Sequence, residues 1–356
     1  MEATSGQSPH CDYCGTTAWL FLSIVSAAGT ILGNVLTVSA ILLSKKLSSV
    51  VANYFVFSLA VSDLMVGCSI PYHMLFYLLD DFGRSRMKCL LRFVFTSFAC
   101  SSSICNLLFI AMDRYIAIVY PLHYTRYMTK KAAFFLIALG WLISFSTASI
   151  PVFWNEWHEG VTCELVNVYP SNYIKMIVVP MFVLIWVTML LLYSRICKEA
   201  SGQQRRIMGS ATVNPHSRSF RDSKSFQMMM IILGCFTICW LPYFVITIQE
   251  RSMRNLESAT LYEIFFNLAM ANSCMNPLIY AWKNANFRKA FCSLVRCRTP
   301  DSQPFITNHV PSKSNSLNGV FNLTCQRDTS RTDLEVSVGG DEVDESKCVD
   351  SGVNGL

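Results

Sequence analysis

Charge is what this chain has least of: 15% of its 356 residues are Asp, Glu, Lys or Arg, against 52% apolar residues. A soluble protein of this length carries about 25% charged residues, so a water-soluble globule is excluded as the first reading. Residues 1–17 hold no Lys or Arg, and the apolar run that follows is too long for a signal peptide, which argues against a cleaved leader. No repeat of about 20–50 residues is visible, which argues against a solenoid. The paired Gly/Pro-broken segments of inverted-repeat transporters are missing as well. Metal-ligand clusters and nucleophile motifs are absent, and the scattered His, Ser and Asp residues fall on different faces or sides. An enzyme is therefore disfavoured.

What the chain does have is apolar length. Runs of about 20 residues or more suit membrane spans better than core helices. They fall at about 18–43, 52–79, 89–112, 132–154, 173–194, 227–249 and 260–282. The expected fold is an all-α membrane protein, a bundle of seven transmembrane helices. Loop charge sets its orientation. Lys45, Lys46, Arg126, Lys130, Lys131, Arg195, Lys198, Arg205, Arg206, Arg218, Arg221 and Lys224 lie in the loops after spans one, three and five, and Arg288, Lys289, Arg296 and Arg298 follow span seven. Fewer bases occupy the other side, offset by acids such as Asp80, Asp81, Glu156, Glu159 and Glu250. This places an extracellular N-terminus at 1–17, the membrane domain at 18–298 and a cytoplasmic tail at 299–356. The net charge of +6 needs no nucleic acid to explain it.

After span seven, Phe287, Ala290, Phe291 and Leu294 share one helical face while Arg288 and Lys289 take another. That spacing predicts a short amphipathic eighth helix on the inner membrane surface. Residues 299–356 are polar, with an acidic run at 341–345, and are expected to be disordered.

Two motifs carry the most information. Asp113-Arg114-Tyr115 ends the third apolar run and leads into Ile116-Ala117-Ile118-Val119-Tyr120-Pro121-Leu122-His123-Tyr124. Asn276-Pro277-Leu278-Ile279-Tyr280 lies in the last run. Together they resemble the rhodopsin-like (class A) G-protein-coupled receptors, over about residues 17–298. Markers resembling the family's occur in the other spans too: Asn34 in span one, Asp63 in span two, Trp141 in span four and Cys239-Trp240-Leu241-Pro242 in span six. Span five departs from the pattern. Pro180 precedes Tyr193 by thirteen residues rather than about eight, so the family's helix bulge is not expected there.

The resemblance implies roles for particular residues. Asp63 is a costly charge in hydrocarbon, and its implied partners are Ser103, Asn272, Ser273 and Asn276, over a floor at Trp240. That oxygen-rich set suits an allosteric sodium ion; the alternative is a protonated Asp63 hydrogen-bonded to Asn34 and Asn276. Arg114 is the implied switch. At rest it pairs with Asp113 and Asp222, and on activation it is freed to meet a heterotrimeric G protein as Tyr193 and Tyr280 close behind it. Trp240, Phe236 and Ile104 resemble the transmission layer, with Pro242 and Pro277 as kinks, and Leu122 supplies an apolar knob for the G protein.

Outward-facing cysteines are few: Cys11, Cys14, Cys89 and Cys163. A disulfide between Cys89 and Cys163 would pin the loop before span five over the bundle. Cys11 and Cys14 pair with each other, stay free or tie down the N-terminus. Cys292 and Cys297 are candidate palmitoylation sites that would anchor the eighth helix to membrane lipid. Tail residues Ser312, Ser314, Ser316, Thr329, Ser330 and Thr332 are candidate sites for receptor kinases, and phosphates there would recruit arrestin.

The ligand is the least legible part. Seven residues beyond Cys89 lies Thr96, where amine receptors carry an aspartate, and no acid occurs in 89–112 or 173–198. His73, Thr96, Ser97, Cys100, Tyr243, Phe244, Thr247 and Phe266 are the expected ligand contacts, with Arg92, Glu164 and Asn267 nearby; Arg92 leaves an anionic ligand open, though it is expected rather to reach outward to water. The mixture suits a small neutral or weakly polar ligand. Within the family, spans two and four (Asn53 to Ala60, and Trp141 to Phe145 with Pro151) resemble adenosine receptors. Thr247 and Glu164-Leu165-Val166 depart from their ligand residues, however. Pro242-Tyr243-Phe244 and Phe287-Arg288-Lys289-Ala290 also resemble trace-amine receptors. The function implied is a plasma-membrane receptor coupling a small extracellular ligand, with purines among the candidates, to G-protein activation. The alternatives are an amine receptor without the usual aspartate and a receptor active without ligand.

Overall fold

In the computed structural model, residues 9–79, 82–208, 219–249 and 256–300 are described, and among them the regular structure is entirely helical. Among the described residues, seven long helices and a shorter eighth follow in order, with single helical turns in some of the loops between them. They are α1 (Pro9–Leu43), α2 (Ala52–Leu78), α3 (Arg86–Val119), α4 (Lys130–Phe153), α5, α6 (Ser219–Ile248), α7 (Leu256–Lys283) and α8 (Ala285–Val295). α5 starts as Ser171–Tyr173, passes through a π-helical turn at Ile174–Val178 and continues as Val179–Met208.

Among the described residues, six helices, α1 to α6, are long and apolar enough to cross a membrane. α7 has the length but carries Glu263, Asn267, Asn272, Ser273 and Asn276, polar residues that suit a bundle interior better than lipid. Side chains such as Phe21, Leu32, Phe135, Leu184 and Ile238 are exposed on the outer faces. In water such a surface would aggregate, whereas a bilayer covers it.

α3 is the central post, packed against α2, α4 and α5, while α7 closes the ring between α6 and α1. Glycines permit close approaches between helices. A Cβ on Gly140 of α4 would lie 2.6 Å from the Phe109 ring of α3, and one on Gly33 of α1 would lie 2.9 Å from Pro277 of α7. Local signals fix the ends. The Thr129 hydroxyl accepts from the Ala132 amide to start α4, and Asn284 caps α8 by accepting from the Asn286 and Phe287 amides. α8 buries Phe287, Ala290 and Phe291 and leaves Arg288 and Lys289 exposed, the division the sequence predicts.

The π-turn corrects one expectation. The sequence lacks the proline at Ile185 and so predicts no bulge in span five. A bulge is present nonetheless, displaced toward the outer end beside Pro180. Pro180 has no N–H to offer the Met176 carbonyl, and its ring crowds that carbonyl, so the ladder widens there.

Candidate functional site

Three polar or aromatic layers lie along α3. At the inner end, Arg114 donates through Nε to Asp113 Oδ2 at 2.8 Å, and its terminal nitrogen pairs with the same oxygen. Asp113 is 1% exposed and Arg114 26% exposed, so a buried carboxylate meets a guanidinium still reached by water. The Tyr124 hydroxyl takes the other carboxylate oxygen at 2.8 Å. Burial, followed by the Asp113 charge, raises the pKa of Tyr124 above the usual tyrosine range, so the hydroxyl keeps its proton and donates. Tyr115 packs edge-on against Tyr120. Tyr193 and Tyr280 are buried with no hydrogen-bond partner on either hydroxyl, and the Tyr280 ring stacks on Phe287. Leu122 is 90% exposed on the loop beyond. The side chain of Asp222 lies outside the described residues, so its pairing with Arg114 is not among these contacts.

Midway, Asp63 is fully enclosed. Ser103 Oγ donates to one of its oxygens at 2.7 Å and Asn276 Nδ2 to the other at 2.8 Å, with Ser273 also in contact. α2, α3 and α7 therefore meet at one carboxylate. Asn34 does not join it. Its amide donates to the Ser273 and Thr30 carbonyls, which leaves Asn34 Oδ1 buried without a donor. Asn272 is buried on the same stretch of α7.

Above this cluster, Trp240 is buried with no partner for its Nε1, and Phe236 is fully buried. Phe182 of α5 stacks face to face on Phe244 at 3.7 Å between ring centroids and reaches Phe236 at 6.0 Å. An outer cavity of about 780 Å³, counting its mouth, opens over these rings between α3, α4, α5, α6 and α7. Its mostly apolar and aromatic lining, with the hydroxyls of Thr96, Ser97 and Tyr243, suits a small organic ligand. Of the expected contacts, Thr96, Ser97, Cys100, Tyr243, Phe244 and Phe266 line it. The other two do not. Thr247 donates its hydroxyl to the Tyr243 carbonyl at 2.7 Å, and His73 lines a smaller cavity between α1, α2 and α7. Sequence reasoning missed Phe182, Met181 and Ile177 on α5, because the outer half of α5 is apolar on every side and offers no stripe to read.

A lid covers the outer end. Cys89 and Cys163 form the expected disulfide. Under it, Phe93, Val168, Tyr169 and Tyr173 make a small second core. Arg92 overturns the expectation that it reaches water: it is 4% exposed. Its guanidinium donates to His73 Nδ1 at 2.7 Å and to the Cys163 carbonyl at 3.1 Å, and it lies over the Phe76 and Phe93 rings. Glu164 is exposed and holds Asn167. At the inner surface Cys297 is an exposed free thiol. The side chains of Cys11 and Cys14, and the whole tail from residue 301, lie outside the described residues.

Comparison with known proteins agrees with this geometry. The family model described as "7 transmembrane receptor (rhodopsin family)" matches residues 33–280. The chain is similar to the D(1C) dopamine receptor of Xenopus laevis, 33% identical over 78% of this chain and 67% of that protein. It is similar to the D(1A) dopamine receptor of Xenopus laevis, 29% identical over 86% and 78%. The alpha-1A adrenergic receptor of Oryzias latipes is 28% identical over 86% and 73%. These are amine receptors by name, so the adenosine-like branch expected from spans two and four is not the one these matches support.

Proposed function

The chain belongs to the rhodopsin family of seven-transmembrane receptors, and from that premise we propose that it couples a small ligand in the outer cavity to heterotrimeric G proteins at the inner end. Members of this family are multi-pass membrane receptors and not enzymes. The observation that carries the reading is the continuity of the three layers. The cavity floor is Trp240 and the Phe182–Phe244 stack, the Asp63 cluster lies below, and the Asp113–Arg114 pair closes the inner end. A ligand that favours a different Trp240 and Phe244 packing biases α6, and a bistable ion pair at the far end reports it.

The membrane is the plasma membrane on this reading, with the N-terminus outside and the basic loops facing the G protein. Receptor kinases and arrestin act on the tail serines and threonines. The Asp63 cluster suits a sodium ion. Hard oxygen donors surround a carboxylate, and Asn34 Oδ1, next to Ser273, is a buried acceptor lacking a donor. Asp63, Ser103, Ser273, Asn272 and Asn276 would hold the ion, whose charge would favour the resting packing of α2, α3 and α7.

For the ligand class, the named relatives favour an amine over a purine. The position at which adenosine receptors carry their adenine-binding amide is Thr247, whose hydroxyl is spent on its own helix. The test is Thr96→Trp, which fills the cavity. Native receptor should answer at least one of dopamine, adenosine and related small ligands in a cyclic AMP assay. The tryptophan variant, at equal surface amount, should not. An intact response in that variant would place the ligand elsewhere.

A further inference from the structure

Among the described residues that line the outer cavity there is no Asp, Glu, Lys, Arg or His, yet its polar groups are not scattered. Ser97 and Ser101 lie one turn apart on α3 and share a helical face. With Thr147 of α4 and Tyr173 at the start of α5 they line the α3–α4–α5 side. Trp240, Tyr243, Phe244 and Phe266 of α6 and α7 line the other. The cavity therefore sets a wall of hydroxyls against a wall of rings.

Most protons on the hydroxyl wall are already committed to the backbone. The Tyr173 hydroxyl donates to the Thr147 carbonyl at 3.0 Å, which ties α5 to α4. Thr147 Oγ1 donates to the Ile143 carbonyl at 2.9 Å, and Thr96 Oγ1 donates to the Arg92 carbonyl at 2.8 Å. A hydroxyl has a single proton and two lone pairs, so these three oxygens are left as acceptors. Ser97, near the Tyr169 hydroxyl, and Ser101 keep hydroxyls that can rotate to suit a partner. The wall thus holds more acceptors than protons, and a ligand that brings a donor satisfies it best. An ammonium is a donor too, but here it would give up its hydration with no carboxylate on the wall to replace it. An uncharged O–H or N–H makes the same bonds without that cost.

We propose that the ligand is a small aromatic molecule with an uncharged hydroxyl or N–H donor. The donor is held at Thr147 and Tyr173, with Ser97 and Ser101 beside them, and the ring packs against Trp240 and Phe244. This rests on the reading of the outer cavity as the ligand site and narrows it: the receptor recognises a neutral donor rather than a positive charge. An aromatic amine with a ring hydroxyl would be held by that hydroxyl, its ammonium adding little.

The test uses full-length receptor in nanodiscs and three probes: 4-ethylphenol, its methyl ether 4-ethylanisole, which lacks the donor, and 2-phenylethylamine, which has an ammonium and no phenol. The readouts are the shift in unfolding midpoint and the change in nucleotide exchange on a G protein. The phenol should act at concentrations roughly fivefold to tenfold below those of the ether, and the amine should do no better than the ether. Thr147→Val should raise the half-maximal concentration of the phenol by a similar factor, roughly fivefold to tenfold, and leave that of the ether unmoved. Tyr173→Phe should act in the same direction. Thr147→Ser keeps the hydroxyl, controls for folding and should recover most of the potency. The proposal is overturned if the ether matches the phenol, if the amine outdoes the phenol, if Thr147→Val weakens phenol and ether alike, or if no probe shifts the midpoint. Phenol action lost in Thr96→Trp but undiminished in both Thr147→Val and Tyr173→Phe would sink the hydroxyl wall alone. Full phenol action in Thr96→Trp would sink the cavity reading itself.

Discussion

Asp113→Asn isolates the ion pair at the inner end. The substitution keeps the shape of the side chain and still lets Tyr124 donate to an amide oxygen, but it removes the charge that Arg114 meets. Two Arg114 nitrogens reach Asp113 Oδ2, and the carboxylate is nearly inaccessible to water. A charge-assisted contact of this kind contributes roughly 1.5–3 kcal/mol. Arg114 is 26% exposed, so solvent screening argues for the lower part of that range. At about 1.5–2 kcal/mol the resting arrangement loses a factor of roughly ten to thirty relative to the freed one. Ligand-free nucleotide exchange on purified G protein should rise by that factor from a low native rate, up to saturation. The assay compares equal amounts of native and variant receptor in nanodiscs without ligand. An unchanged or lower rate, with the variant folded and monodisperse, would refute the view that this pair holds the resting state.

Other perturbations test separate parts of the account. Gly140→Ala forces a methyl against Phe109 and should destabilise the receptor by about 1–3 kcal/mol, seen as a lower unfolding midpoint in detergent; an unchanged midpoint would mean α4 is free to shift. Asp63→Asn should remove the difference in ligand-stimulated exchange between sodium chloride and choline chloride buffers, and a sodium effect that survives it would place the ion elsewhere. Tyr124 bears on pH. Its pKa is raised above the ordinary value of 10.0, so its contribution is complete below that value and is lost only as pH rises through the higher folded one. Ligand-free exchange should therefore show no step from Tyr124 between about pH 6 and 9. A step there that Tyr124→Phe abolishes would contradict the raised pKa.

The bundle was legible in the sequence because a membrane span must satisfy its own backbone and face lipid, and both demands leave long apolar runs. The Asp63 and Arg114 layers were legible because charge is so rare within those runs that each instance stands out. Contacts between helices were not. Arg92 looks like a residue that reaches water until Phe76, Phe93, His73 and the Cys163 carbonyl are brought around it from three segments. Thr247 looks like a ligand contact until its hydroxyl is seen to bond one turn back. Phe182 sits in the outer half of α5, which is apolar on every side, so nothing local marks it as the ring that stacks on Phe244. The bulge in α5 follows from Pro180, a signal present in the chain but outside the position where the family pattern looks for it.

The central claim is that Arg114 transmits the state of the outer cavity to a G protein. The most direct measurement is the rate of GDP release from a purified heterotrimeric G protein, driven by native receptor or by Arg114→Ala at equal amounts in nanodiscs. The account predicts that the variant falls to the receptor-free rate while a ligand active on native receptor still shifts its unfolding midpoint. Undiminished GDP release by Arg114→Ala would contradict it.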